Sequence, residues 1–247
     1  MYHILCVLTQ AMTDHPNSQD NSSILAGVVI LAGGASKRMG FPKAQLTLPT
    51  NETLLDYHVR HSMLLNVPIM IADNGRGFIV DGDLLASNPK LPIFHIADYG
   101  FTNASKVHDT GGALVAIESA LQTLALRSVK STNSTALKAK SWLLVISCDS
   151  LIPASELWRH LQPFIAHAAD KSVICLADDA HLYPLLGLYR LSIEPELRAY
   201  IDQNERRVMR FIEPIMHTAP IPKTWQHLTN FNTPDEFKRV CTALYQL

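Results

Sequence analysis

Short apolar runs alternate along this chain with longer stretches in which apolar residues recur at about every 3.6 positions, the period of a one-sided helix. The runs are GVVILA from Gly27, VPIMIA from Val67, LPIFHIA from Leu91, WLLVISC from Trp142, SVICLA from Ser172 and LLGLYRL from Leu185. The first four do not alternate apolar with polar residues, which is the pattern of strands buried on both faces. Between them, ETLLDYHVRHSMLL from Glu52 places Leu54, Leu55, Val59, Met63 and Leu64 near one helical face, and GGALVAIESALQTLAL from Gly111 does the same with Leu114, Ile117, Leu121 and Leu124. Strand and helix in repeated alternation predict an α/β fold with three layers, a mostly parallel central sheet with helices on both sides, because parallel strands need crossovers. Ligands on such sheets bind at the carboxyl ends of the strands. Near the C-terminus, Thr233 as N-cap, Pro234 at the first helical position and Glu236 form a capping box that starts a last helix.

Length and composition narrow the picture. A chain of 247 residues is within the range of one α/β domain with a sizeable core, expected over 24–247. Residues 1–23, which include the polar, turn-rich stretch TDHPNSQDNSS, read as a loose extension, and RSVKSTNSTALKAKS from Arg127 reads as an exposed excursion. Lysine and arginine total 21 against 22 aspartates and glutamates, so no global basic field exists to hold nucleic acid. The four cysteines, Cys6, Cys148, Cys175 and Cys241, are scattered without a CxxC pair, which fits neither a disulfide framework nor a zinc site and suits a reducing cytoplasm. No apolar run reaches the roughly 18–20 residues of a membrane span, and the first residues lack the cationic start of a signal peptide.

The candidate chemistry begins where the first run ends. In LAGGASKRMGFPK, Gly33 and Gly34 let backbone N–H groups approach an anion that a Cβ would hold off, while Lys37, Arg38 and Lys43 bring positive charge to the same edge. A triphosphate suits such a loop. The spacing is neither the Walker pattern nor the dinucleotide fingerprint GxGxxG.

The longer string LAGGASKRMGFPKAQLTLP, followed by TLLDYHV, resembles the nucleotidyltransferase loop L-x-A-G-G-x-S-x-R-M-G-x-x-K-x-x-L, in particular that of the bacterial molybdenum cofactor guanylyltransferases. ISCDSLIPASEL resembles the family's strand ending in Cys-Asp, NERRVMRFIE from Asn204 its E-R-R-V-M-x-F segment, and NFNTPDEF from Asn230 its N-x-N-T-P-E-E-L ending. These motifs span about residues 24 to 245 in the family's order. The resemblance implies a fold like that of the nucleotide-diphospho-sugar transferases. It also implies transfer of GMP from GTP to molybdopterin, with or without molybdenum, releasing pyrophosphate and forming the guanine dinucleotide cofactor. Molybdoenzymes or their chaperones are further partners it suggests.

Carried over by position, the resemblance implies a nucleotide site of Leu31, Ala32, Gly33, Gly34, Lys43, Asn74, Asp98, Gly111 and Gly112. Asp149 would hold Mg²⁺, the hard cation that a triphosphate calls for. Asp109, in the long stretch YGFTNASKVHDTGG, competes with Asp98. Lys43, Arg38 and Asp149 would carry catalysis, neutralising the charge that grows on the leaving pyrophosphate. Arg206, Arg207, Asn230 and Asn232 are the candidates for the pterin, since guanidinium forks pair with phosphate and amides with pterin or phosphate. A terminal phosphate with a second pKa near about 6 is already mostly dianionic at neutral pH, so no general base is required. His95 and His108 flank the site without being assigned that role.

Two departures from the family's pattern stand out. Pro42 precedes the lysine where many relatives carry aspartate, while Pro-Lys also occurs in the related group that transfers cytidylate, and Ser150-Leu151-Ile152 makes the stretch after Asp149 one residue shorter than usual. Three functions stay open on sequence: guanylyltransfer; transfer from CTP or to another acceptor; and a non-catalytic adaptor that binds the cofactor.

Overall fold

The computed structural model describes residues 25–34, 36–98, 111–128, 140–168 and 170–244. The extension at 1–23, the centre of the Arg127–Ser141 excursion, His108 and Asp109 lie outside them. Seven strands, β1 (Leu25–Leu31), β2 (Ile69–Ala72), β3 (Ile93–His95), β4 (Trp142–Ser147), β5 (Val173–Ala177), β6 (Leu182–Arg190) and β7 (Met216–Pro220), form one sheet in the order β3-β2-β1-β4-β6-β5-β7. All neighbours pair in parallel except at β6, which runs antiparallel to both β4 and β5. The reversal follows from a tight turn after β5, where the Asp178 carboxylate accepts from Ala180 N (2.8 Å) and His181 N (2.7 Å).

The helices are α1 (Leu54–Met63), α2 (Gly82–Ser87), α3 (Ala113–Ser128), α4 (Ala154–Leu161), α5 (Glu194–Asp202), α6 (Val208–Ile212) and α7 (Pro234–Leu244). Val28 and Ile30 of β1 face a core shared with Leu54, Leu55 and Val59 of α1, Leu157 of α4 and Val240 of α7. Val29 faces the opposite core, with Leu114, Ile117 and Leu121 of α3, Leu197 of α5 and Ile212 of α6. Alternate residues of one strand thus bury against helices on both sides, giving the three-layer α/β arrangement with a mostly parallel sheet. Arg198 of α5 is joined to α3 through Glu118, at 3.2 Å, and burial pushes that carboxyl up to about 7.

The structure departs from the apolar pattern in three places. The LPIFHIA strand was expected to be buried on both faces, but β3 is the sheet's edge: Ile93 and Phe94 are half-buried and His95 is exposed. Leu64 directly follows α1 and is 71% exposed, because at about 100° per residue its position falls on the side of the helix opposite buried Leu55 and Ser62. β7 carries too few apolar residues to read as a strand, and it forms by pairing along β5. Among the described residues no helix is long and apolar enough to cross a membrane.

The strand ends are level. Leu31 is in register with Ala72 on one side and with Ser147 on the other, so the chain leaves β1, β2 and β4 along one line.

Candidate active site

The loop leaving β1 is held first by backbone: Ala32 N donates to Ala72 O at 2.9 Å. Gly33 then passes so close to the β2 loop that a Cβ there would lie 2.9 Å from Asn74 Cβ. This close approach is the requirement for glycine at 33. Gly33→Ala is expected to cost about 1–3 kcal/mol from forced backbone displacement and to weaken nucleotide binding, since it pries apart two loops of one site. Thermal unfolding and nucleotide titration of the variant check this.

Beyond Gly34 the chain turns back: Met39 N and Gly40 N both donate to Ser36 O (3.0 and 3.1 Å), and the Met39 side chain is buried. A short 3₁₀ turn, Lys43–Gln45, follows, anchored by fully buried Ala44. Lys43 N donates to Ser36 Oγ at 3.3 Å. Its side chain runs to the end of β4, where Nζ donates to Asn232 Oδ1 at 3.0 Å and stands 3.7 Å from Asp149 Oδ2. The Phe231 ring lies beneath the same ammonium, 5.6 Å away. Burial lowers the lysine's pKa and nearby Arg38 adds to this, while the Asp149 carboxylate opposes both.

Asn232 is placed by the last helix. The capping box forms as expected, with Thr233 N donating to Glu236 Oε2 (3.0 Å) and Glu236 N to Thr233 Oγ1 (3.3 Å). The same glutamate oxygen also takes Asn232 N at 2.6 Å, and Asn232 Nδ2 donates to Asn230 O at 2.9 Å. Helix capping therefore aims the amide at the lysine.

The loop after Asp149 is pinned from two sides. Tyr57 of α1 donates its hydroxyl to Leu151 O at 2.7 Å, and Leu151 N donates to Leu228 O at 2.8 Å. Ser150, Leu151 and Ile152 are buried completely. Cys148 beside the aspartate is buried as well, which pushes its thiol up to about 12 and makes it inert as a nucleophile.

Two clefts adjoin across the glycine loop. One, of about 190 Å³, is lined by Leu31, Ala32, Gly34, Ser36, Lys37, Arg38, Lys43, Asp149 and Asn232 among others. The other, of about 100 Å³ and more apolar, is lined by Leu31, Gly33, Gly34, Asn74, Asp98, Gly112 and small residues of β2 and α3. Leu31 and Gly34 belong to both. Asp98 has its carboxyl raised first by burial and then by the charge of Asp73, against a hydrogen bond from Gly111 N–H. The first cleft thus offers cations and a partly exposed carboxylate, and the second offers a snug, mainly apolar wall with one acid.

Not every expected residue joins them. Asn230 lines a separate surface hollow with Thr229, Phe231 and Arg239, and contributes to the site through its carbonyl on Asn232. Arg206 is engaged at the end of α5, donating to Ile201 O (2.7 Å) and Glu205 O (2.8 Å), and Arg207 is exposed. Neither lines either cleft. Glu205 pairs with Arg210 rather than with either of them.

Sequence reading missed Asp73 and Arg76. The Asp73 carboxylate, 1% exposed, accepts from Gly75 N (3.1 Å) and Phe78 N (2.9 Å) and lies 3.0 Å from His95 Nδ1. It builds the turn that presents Asn74, whose φ is +57°. The Asp-Asn-Gly sequence after a strand was the available signal.

A divalent cation fits this donor set in one way. Among the described residues no group of three or more His, Cys, Asp or Glu side chains converges. The chain's contribution is the single Asp149 carboxylate, its side chain 30% exposed to the phosphate-sized cleft. One carboxylate completed by phosphate oxygens and water is a manner of binding that suits Mg²⁺.

Comparison with known proteins bears on the family and the fold. Residues 28–219 match the family described as the MobA-like NTP transferase domain. A probable molybdenum cofactor guanylyltransferase of Carboxydothermus hydrogenoformans is 26% identical over 223 residues, covering 86% of this chain and 93% of that protein. A Flavobacterium johnsoniae protein of the same description is 29% identical over 95 residues, and there the match spans about half (49%) of that protein's length and 38% of this chain. Among solved structures, the molybdopterin-guanine dinucleotide biosynthesis protein A of Archaeoglobus fulgidus superposes with a TM-score of 0.61 at 20% identity, over 90% of this chain and all of that one (100%). That likeness shows the fold, which is that of the nucleotide-diphospho-sugar transferases. With the glycine loop, lysine and strand-end aspartate gathered at one sheet edge, this chain belongs to the MobA-like NTP transferase family and is a nucleotidyltransferase.

Proposed function

We propose that this chain transfers GMP from GTP to molybdopterin, with Mg²⁺ as the divalent cation. The observation that carries the reading is the Lys43–Asp149–Asn232 cluster in a cleft that meets a second, more apolar cleft at Gly34. The guanosine end belongs in the apolar cleft against Asn74, Asp98 and the start of α3, whose positive end borders the same cleft. The triphosphate belongs in the other. The names of the relatives favour guanine over cytosine and molybdopterin as acceptor.

In this reading Lys43 and Arg38 stabilise negative charge as it passes to the leaving pyrophosphate, and the bond to Asn232 holds the ammonium in place beforehand. Asp149 would bind Mg²⁺, which when present neutralises phosphate charge and orients the reacting groups. The acceptor phosphate is its own nucleophile, so catalysis is positioning and neutralisation. Neither the inert thiol of Cys148 nor His95, paired with Asp73 outside both clefts, serves as a general base, and this reading requires none. Asn230, Arg206 and Arg207 stay as candidates for the pterin end.

The test is incubation of the purified protein with molybdopterin and each of the four nucleoside triphosphates, with mass detection of the dinucleotide. Formation of the guanine product with release of pyrophosphate is expected. A cytosine product, or binding of cofactor without pyrophosphate release, would overturn the reading in favour of a cytidylyltransferase or an adaptor.

A further inference from the structure

The loop carrying Gly33 and Gly34 is braced on its two flanks by different means. At Gly33 the brace is packing, with Asn74 filling the space a Cβ would need. At Gly34 there is none: a Cβ built there would meet nothing within 4 Å. What holds Gly34 is its carbonyl. Arg76, 42 residues further along, donates to it at 3.0 Å, and Ser36 Oγ donates at 3.4 Å. Ser36 Oγ in turn accepts Lys43 N. A hydrogen-bond chain therefore runs from the β2 turn through Gly34 and Ser36 to the backbone of the lysine.

The arginine is itself held. Asp73 pins the turn on which it rides, and its guanidinium lies over the Phe78 ring at 5.9 Å, that ring being 6% exposed. Gly34 lines both clefts, so Arg76 is bonded to a residue at their junction without lining either cleft itself. Its bond crosses to the glycine loop at the point where any ligand spanning the two clefts must pass.

We propose that Arg76 is a positioning residue for the nucleotide's phosphates. Its hydrogen bond fixes the orientation of the Gly34 peptide, and its positive charge raises the electrostatic potential beside that peptide, which stabilises the phosphate chain there. This rests on the reading that a triphosphate spans the clefts.

The experiment compares wild type, Arg76→Ala and Arg76→Lys in fluorescence titrations with methylanthraniloyl-GTP, unlabelled GTP and guanosine as competitors, alongside thermal unfolding and steady-state pyrophosphate release. Loss of a hydrogen bond to a charged donor predicts roughly tenfold or greater weakening of GTP by Arg76→Ala, with guanosine changed by less than about twofold. Arg76→Lys restores part of the GTP affinity, and KM rises more than kcat falls. Equal affinity of wild type and Arg76→Ala for GTP overturns the proposal. Equal loss of guanosine and GTP also overturns it, because the residue then merely supports the fold. Failure of wild type to bind any nucleoside triphosphate overturns the parent reading instead, and with it this one.

Discussion

Lys43→Ala is expected to reduce the rate of pyrophosphate release by roughly 100- to 1,000-fold, the loss that follows removal of one preorganised group from developing charge. The side chain has two roles that this substitution removes together. It is a half-buried cation facing the cleft, and it links Asn232 at 3.0 Å to Asp149 at 3.7 Å across the sheet edge. The loss is expected in kcat and in GTP affinity together, because the ammonium meets phosphates already charged in bound GTP as well as the further charge that grows on the leaving pyrophosphate. Lys43→Met, which keeps most of the aliphatic stem over Phe231, separates packing from charge. Equal defects in the two variants assign the effect to charge. A pyrophosphate rate in Lys43→Ala equal to that of wild type would remove this lysine from the mechanism.

Asp149→Asn is the second large effect. The change is isosteric, and the loop around it is tied by Tyr57, Leu228 and buried Ser150 rather than by the carboxylate, so the fold is expected to persist. Turnover is expected to fall roughly 1,000-fold, the equivalent of the several kcal/mol that a bound cation supplies to phosphoryl chemistry. Mg²⁺ titrated into the protein with GTP should saturate at a higher concentration than in wild type. Unfolding temperature measured beside activity distinguishes a lost ligand from a lost fold. Undiminished, Mg²⁺-dependent turnover in this variant would refute the metal role of Asp149.

Much of this site was legible in the chain because it is carried by local pattern. Gly33, Lys43 and Asp149 each sit at a fixed offset from a buried apolar run, and the end of a parallel strand is where such sheets bind ligands. Thr233 and Glu236 were readable as a capping box for the same reason: capping is decided within four residues. Arg76 was not readable, because its meaning lies in a bond to a carbonyl 42 residues away. Arg206 was readable as a phosphate binder by motif, and the structure shows its guanidinium engaged with the carbonyls that end α5. A motif describes which residue is present and leaves open what its donors meet.

By itself the order of apolar and polar residues determined the alternation of strand and helix, the two-sided burial of β1, β2 and β4, and the edge at which charge and glycine collect, since each depends on periodicity or on neighbours close in the chain. Only the tertiary structure decided that β3 is an edge, that β6 runs backwards and that β7 exists at all. It alone brought Lys43 to Asn232, 189 residues away, and divided the site into two clefts at Gly34. Those outcomes turn on the register between strands and on hydrogen bonds between distant segments, quantities that exist only once the sheet has closed its ladder.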